Sequence, residues 1–214
     1  MEQITLQHTL PKVFAGQEHA ESGVWMKDIA FRKGLVYLVE ANSGTGKSSL
    51  CSYIFGYRKD YEGRILFDDK DISLLKTNDW VSIRQKSLSL LWQELRLFPE
   101  LTAMENIQIK NKLTGFQTQE QIDRWFDMLG ITDRKNTLIG RMSFGQQQRV
   151  ALIRALCQPF DFVFVDEPIS HLDDANSQIV GQILLEEAKR QGAGIVVTSI
   201  GKHIEMKYDE ILKL

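Results

Sequence analysis

The chain has 214 residues, 26 Lys plus Arg against 28 Asp plus Glu, and a formal net charge of −2. A near-neutral total gives no electrostatic footprint for nucleic acid or an anionic membrane, so no nucleic-acid partner is expected. With 43% hydrophobic and 25% charged residues and only two Cys, the composition excludes a disordered chain and a disulfide-stapled mini-domain.

The opening Met1-Glu2-Gln3-Ile4-Thr5 lacks the basic and apolar regions of a signal peptide, and no apolar run approaches the ~18 residues of a spanning helix. The expected location is therefore cytoplasmic. In chain order, residues 24–29 read as a core strand. Residues 35–39, 162–165 and 195–197 are continuous apolar runs, the pattern of strands covered on both faces. Residues 101–139 are helical and amphipathic, with the best helix at 119–129 before Gly130. Residues 146–156 and 176–190 carry apolar side chains at helical spacing, the second ending near Gly192 and Gly194. Strands alternating with helices predict a mostly parallel, layered α/β core. The single domain, 1–214, is expected to have its core in 1–90 and 140–214 and a helical insert at about 94–139.

Two stretches carry chemistry. Ala41-Asn42-Ser43-Gly44-Thr45-Gly46-Lys47-Ser48-Ser49 follows the first apolar strand and opens a helix. It is the phosphate-loop pattern with Ala41 at the first Gly position. Gly44 and Gly46 let the backbone wrap phosphate oxygens, and helix N–H groups point at the anion. Lys47 adds a point charge on the β- and γ-phosphates, and the Ser48 hydroxyl suits Mg²⁺. Phe162-Val163-Phe164-Val165-Asp166-Glu167 is a buried strand ending in two acids. Beside a phosphate loop, the Asp166 carboxylate suits Mg²⁺ and Glu167 suits polarising a water for attack on the γ-phosphate. Cys51 and Cys157 read as small buried residues.

Together with Leu91-Trp92-Gln93, Met142-Ser143-Phe144-Gly145-Gln146-Gln147-Gln148-Arg149 and Asp166-Glu167-Pro168-Ile169-Ser170-His171-Leu172-Asp173, these motifs resemble the nucleotide-binding subunit of an ATP-binding cassette (ABC) transporter over nearly the whole chain. The segment 84–107 and the short C-terminal end most resemble the subfamily of lipoprotein release, macrolide efflux and cell division. The resemblance implies a P-loop NTPase core with an N-terminal antiparallel β portion and a helical insert. It implies ATP and Mg²⁺ as ligands and a head-to-tail homodimer or heterodimer with two ATP molecules between the subunits. Separate integral membrane subunits would dock in the groove between core and insert, with the cassette peripheral on the inner face of the membrane. Gln93 would sense Mg²⁺ and the attacking water. Ser143, Gly145 and Gln146 would meet the partner's nucleotide, and Asp173 would bridge the two sites. Phe14 is the expected base-stacking aromatic, with Trp25 second and more at home in the core.

Two positions depart from the family pattern. Phe144 stands at the first Gly of the signature, and Ser199 stands at the switch His, with His203 expected at the surface. Both departures predict slow turnover or a partner with a complete site. A non-transport ABC ATPase and a nucleotide-gated interaction subunit are the alternatives.

Overall fold

The computed structural model describes residues 1–16, 22–42, 44–169 and 172–214. Ser43 of the phosphate loop and Ser170 and His171 of the expected D-loop lie outside the described residues.

Two sheets organise the chain. The first is antiparallel, in the order β2-β1-β4-β5, built from β1 (Gln3–Pro11), β2 (Asp28–Arg32), β4 (Tyr61–Phe67) and β5 (Lys70–Asp71). The second is parallel throughout, in the order β6-β7-β8-β3-β9. It comprises β3 (Val36–Glu40), β6 (Leu88–Leu91), β7 (Phe162–Asp166), β8 (Gly194–Ser199) and β9 (Glu210–Lys213). The three apolar runs expected as strands are β3, β7 and β8, at the centre of this sheet.

Their continuous apolarity has a direct cause, because successive side chains point to opposite faces and both faces are covered. Val163 and Val165 enter one core with Ile195, Val197 and Leu38. Phe162 and Phe164 enter the other with Val196, Tyr37 and Val39. The first core is closed by α5 (Phe144–Leu156), α6 (Asp174–Gln191), α3 (Ala103–Asn111) and α4 (Gln119–Met128). The second is closed by α1 (Lys47–Ile54) and the antiparallel sheet, with Trp80 of α2 (Thr77–Lys86). Cys51 and Cys157 are wholly buried in these layers, and burial pushes both thiols up.

One expected element is corrected. Residues 24–27 are not strand, since β2 begins only at Asp28. Met26 takes a left-handed backbone (φ 59°) and its N–H bonds the Thr9 carbonyl at 3.0 Å. The Ser22 hydroxyl accepts from Val24 and Trp25 N–H at 3.1 and 2.8 Å, which closes a turn. Val24 and Trp25 are buried all the same, so a turn facing the core carries the apolar pattern of a strand.

Candidate active site

The phosphate loop joins the carboxyl end of β3 to α1, at the edge where parallel strands leave ligand-binding crevices. The Ala41 N–H donates to the Ser199 carbonyl at 3.0 Å, which stitches the start of the loop to the end of β8. Asn42 closes a turn by accepting from the Thr45 hydroxyl at 2.9 Å. Gly44 and Gly46 hold φ of +85° and +98°, a region that side chains resist. At Gly46 a Cβ would stand 2.9 Å from the Phe14 ring and 3.1 Å from the Trp25 ring. Phe14 therefore lies against the loop, on the short helical turn Lys12–Phe14. Trp25 is buried and its Nε1–H donates to the Thr45 carbonyl at 2.9 Å. The core aromatic thus braces the phosphate loop from behind, a role that its composition alone does not signal.

α1 begins with Lys47, Ser48 and Ser49 after Gly46, and no side chain caps it. Its first N–H groups and the positive end of its dipole therefore meet no capping side chain among the described residues and suit an anion. Ser48 is exposed at this end, whereas the Ser49 hydroxyl accepts from Arg58 at 3.0 Å.

β7 delivers the two acids next to Lys47. Asp166 is 2% exposed and Lys47 6%, with Lys47 Nζ 3.5 Å from the Asp166 carboxylate. The Thr198 hydroxyl at the end of β8 donates to Asp166 as well. Glu167 pairs with Lys47 through Oε1 and accepts from Gln93 Nε2 at 3.1 Å through Oε2. One cation thus faces two carboxylates at the end of β7, and the Gln93 amide donates to the second of them, Glu167. Glu167 also holds φ +49°, a left-handed conformation costly for a side-chain-bearing residue and frequent at functional sites.

Ser199 is buried, and its hydroxyl donates to the Lys202 carbonyl within the following turn. His203 is exposed, 3.3 Å from the Gly201 carbonyl and edge-on to Tyr208.

The signature residues form a second group. Ser143 caps α5: its Oγ accepts from the Gln146 N–H at 3.3 Å, and Gln146 Oε1 accepts from the Ser143 N–H at 3.0 Å. The Ser143 hydroxyl proton remains available for a further acceptor. Gly145 lies in the first turn, and its carbonyl accepts from Arg149. Phe144 is 42% exposed at the start of the helix. Asp173 caps α6 by accepting from the Asn176 N–H at 2.8 Å, and that bond holds its carboxyl below the usual range. Arg149 reaches Asn176 at 3.3 Å and links the two helix starts. Among the described residues this group makes no hydrogen bond to Lys47, Asp166 or the Glu167 carboxylate. One chain therefore presents two separate sets of residues expected at nucleotide.

The donor chemistry suits a hard cation held partly by substrate. The Ser48 hydroxyl and the Asp166 carboxylate are the kind of oxygen donors that a cation such as Mg²⁺ takes. Among the described residues no cluster of three or more His, Cys, Asp or Glu makes an all-protein metal cage. Thr198 is the site residue that the sequence reading passes over, though a polar residue ending an apolar strand run is a visible signal.

The ABC transporter family model matches residues 26–170, more than half of the chain. The lipoprotein-releasing system ATP-binding protein LolD of Legionella pneumophila (strain Paris) is 30% identical, over 87% of this chain and 84% of that protein. The ABC transporter ATP-binding protein YtrE of Bacillus subtilis (strain 168) is 29% identical, over 98% of this chain and 96% of that protein. Among solved structures, the dimeric structure of MJ0796, a bacterial ABC transporter cassette, superposes with a TM-score of 0.80 at 24% identity, over 98% of this chain and 94% of that one. The chain belongs to the ABC transporter family, as an ATP-binding and ATP-hydrolysing cassette.

Proposed function

We propose that this cassette pairs head to tail with a second cassette, hydrolyses ATP held between them, and powers membrane subunits carried on other chains. The observation that carries the reading is the convergence of Lys47, Asp166, Glu167 and Gln93 beside the phosphate loop. Lys47 neutralises phosphate charge, and the N–H groups of residues 44–49 with the α1 terminus cradle the oxygens. Ser48, Asp166 and Gln93 would hold Mg²⁺, which would supply neutralisation of phosphate charge when bound. Lys47 exchanges its Glu167 contact for phosphate, and Glu167 is released to take a proton from the attacking water. Phe14 stacks on the base, and Asn42 lines the loop.

The incomplete half of the site explains the need for a partner. Ser143, Gly145 and Gln146 make no hydrogen bond to Lys47 among the described residues and supply a hydroxyl and helix N–H groups to the nucleotide of the facing cassette. Asp173 bridges the two sites. The core of 1–90 and 140–214 and the helical insert of about 94–139 form the groove in which membrane subunits dock. No described helix is long and apolar enough to cross a membrane. The cassette works peripherally on the cytoplasmic face, a reading supported by its likeness to transporter ATP-binding subunits. Ser199, with its hydroxyl engaged by Lys202, and Phe144 at the signature favour slow turnover.

The test is Glu167→Gln. This variant should keep ATP and double in mass on ATP addition, measured by light scattering with the nucleotide content assayed. Hydrolysis should fall at least ~100-fold, the lower end for a general base. A variant that stays monomeric with ATP, or hydrolyses it at the wild-type rate, contradicts the reading.

A further inference from the structure

Gln148 lies on α5, on the helix that begins at Ser143, and is 3% exposed. Its Nε2 donates to the main-chain carbonyl of Glu167 at 3.1 Å. Its Oε1 is buried and finds no hydrogen-bond partner among the described residues. Burying an amide with half its capacity unmet is unfavourable, so the position gains nothing in stability over an apolar residue of similar shape. The other half of the amide meets one particular peptide, that of the left-handed Glu167. The same residue is tied on its other side by its N–H to the Thr198 carbonyl at 3.0 Å. A non-glycine residue at φ +49° persists only where its surroundings over-determine it.

From this geometry we propose that Gln148 is a positioning residue for hydrolysis: it fixes the Glu167 peptide and so aims the carboxylate that takes the water's proton. The inference rests on the assignment of Glu167 as that base. Gln148 touches neither phosphate nor water and acts only through Glu167.

The chain supplies its own control. Gln158 is equally buried, donates through Nε2 to the Leu88 carbonyl at 2.8 Å, and also leaves Oε1 unpartnered among the described residues. It matches Gln148 in burial and bonding but holds the strand-end carbonyl of Leu88 instead of the Glu167 peptide. The experiment compares the full-length chain with Gln148→Met, Gln158→Met, Glu167→Gln and the Gln148→Met/Glu167→Gln double variant. It measures single-turnover cleavage of bound ATP, the Kd for ATP and the thermal midpoint. Gln148→Met should lower the cleavage rate at least tenfold, with Kd within twofold and a midpoint like that of Gln158→Met. Gln158→Met should cleave at the wild-type rate. In the double variant, Gln148→Met should add less than twofold to the loss from Glu167→Gln, because coupled residues are non-additive when one acts through the other.

Wild-type cleavage by Gln148→Met overturns the proposal. So does a loss equalled by Gln158→Met, or one that multiplies fully with Glu167→Gln. Undiminished cleavage by Glu167→Gln instead removes the base assignment, and a wild-type chain that cleaves no bound ATP removes the ATPase reading itself.

Discussion

At the residue scale the site depends on how closely a few side chains are held. Lys47 has two carboxylate neighbours and little solvent, so its position follows from Asp166 and Glu167. Trp25 shows how a core residue enters function. Its ring packs under Gly46 while its Nε1–H ties down the Thr45 carbonyl. Trp25→Phe keeps an aromatic ring and deletes that bond. It should lower stability by more than the ~1 kcal/mol of one hydrogen bond, because the smaller ring also leaves a cavity in the core, and weaken ATP binding by loosening the loop. Chemical denaturation and an ATP titration read the two effects. Stability loss with unchanged ATP affinity would show that the bond serves the core alone.

The motif residues were legible because each belongs to a fixed spacing with a chemical reason. Trp25 was legible as buried but not as a brace, since nothing in the sequence tells where an indole N–H points. Ser199 was legible as a departure from the family pattern. Its hydrogen bond to Lys202 depends on a turn that has no sequence signature.

At the element scale, caps and apolar runs make this fold readable. Thr102 with Glu105, Thr118, Ser143 with Gln146, and Asp173 all accept from N–H groups in the first turn of their helices. Gly192 ends α6 in the left-handed conformation at φ +64°. A Cβ there would meet nothing within 4 Å, so the cost of substitution is conformational alone. Gly192→Ala should destabilise the chain by roughly 1–2 kcal/mol, the penalty of a left-handed side-chain-bearing residue. Its thermal midpoint would fall while ATP affinity held; an unchanged midpoint would mean that the C-cap relaxes.

The central strands β3, β7 and β8 were legible because both their faces are covered. The antiparallel sheet was legible only through the family resemblance. β1 carries an irregularity between Gln7 and Leu10, with His8 at φ 47°, and β4 exposes Glu62, Gly63 and Arg64 in succession. β1 alternates only over Gln3–Gln7 and β4 not at all in its first half. The strand expected at 24–29, which begins only at Asp28, reflects the same weakness of burial patterns without backbone information.

At the scale of the molecule, the parallel sheet separates two cores and presents the chemistry at its carboxyl edge. One core joins the sheet to α3, α4, α5 and α6, the other to α1 and the antiparallel sheet. The phosphate loop leaves β3, and Asp166 and Glu167 leave β7, with β8 between them, so the site is a product of strand order β7-β8-β3. The net charge of −2 is compatible with binding a strongly anionic ligand because the cations and N–H groups are local.

Phosphate release from ATP by the purified chain with Mg²⁺, set beside Lys47→Ala, tests this account most directly. The wild type should release phosphate, and Lys47→Ala should lose ATP binding and phosphate release together. Release by Lys47→Ala at the wild-type rate, or none by the wild type, would contradict the placement of an ATP-hydrolysing site at Lys47, Asp166 and Glu167.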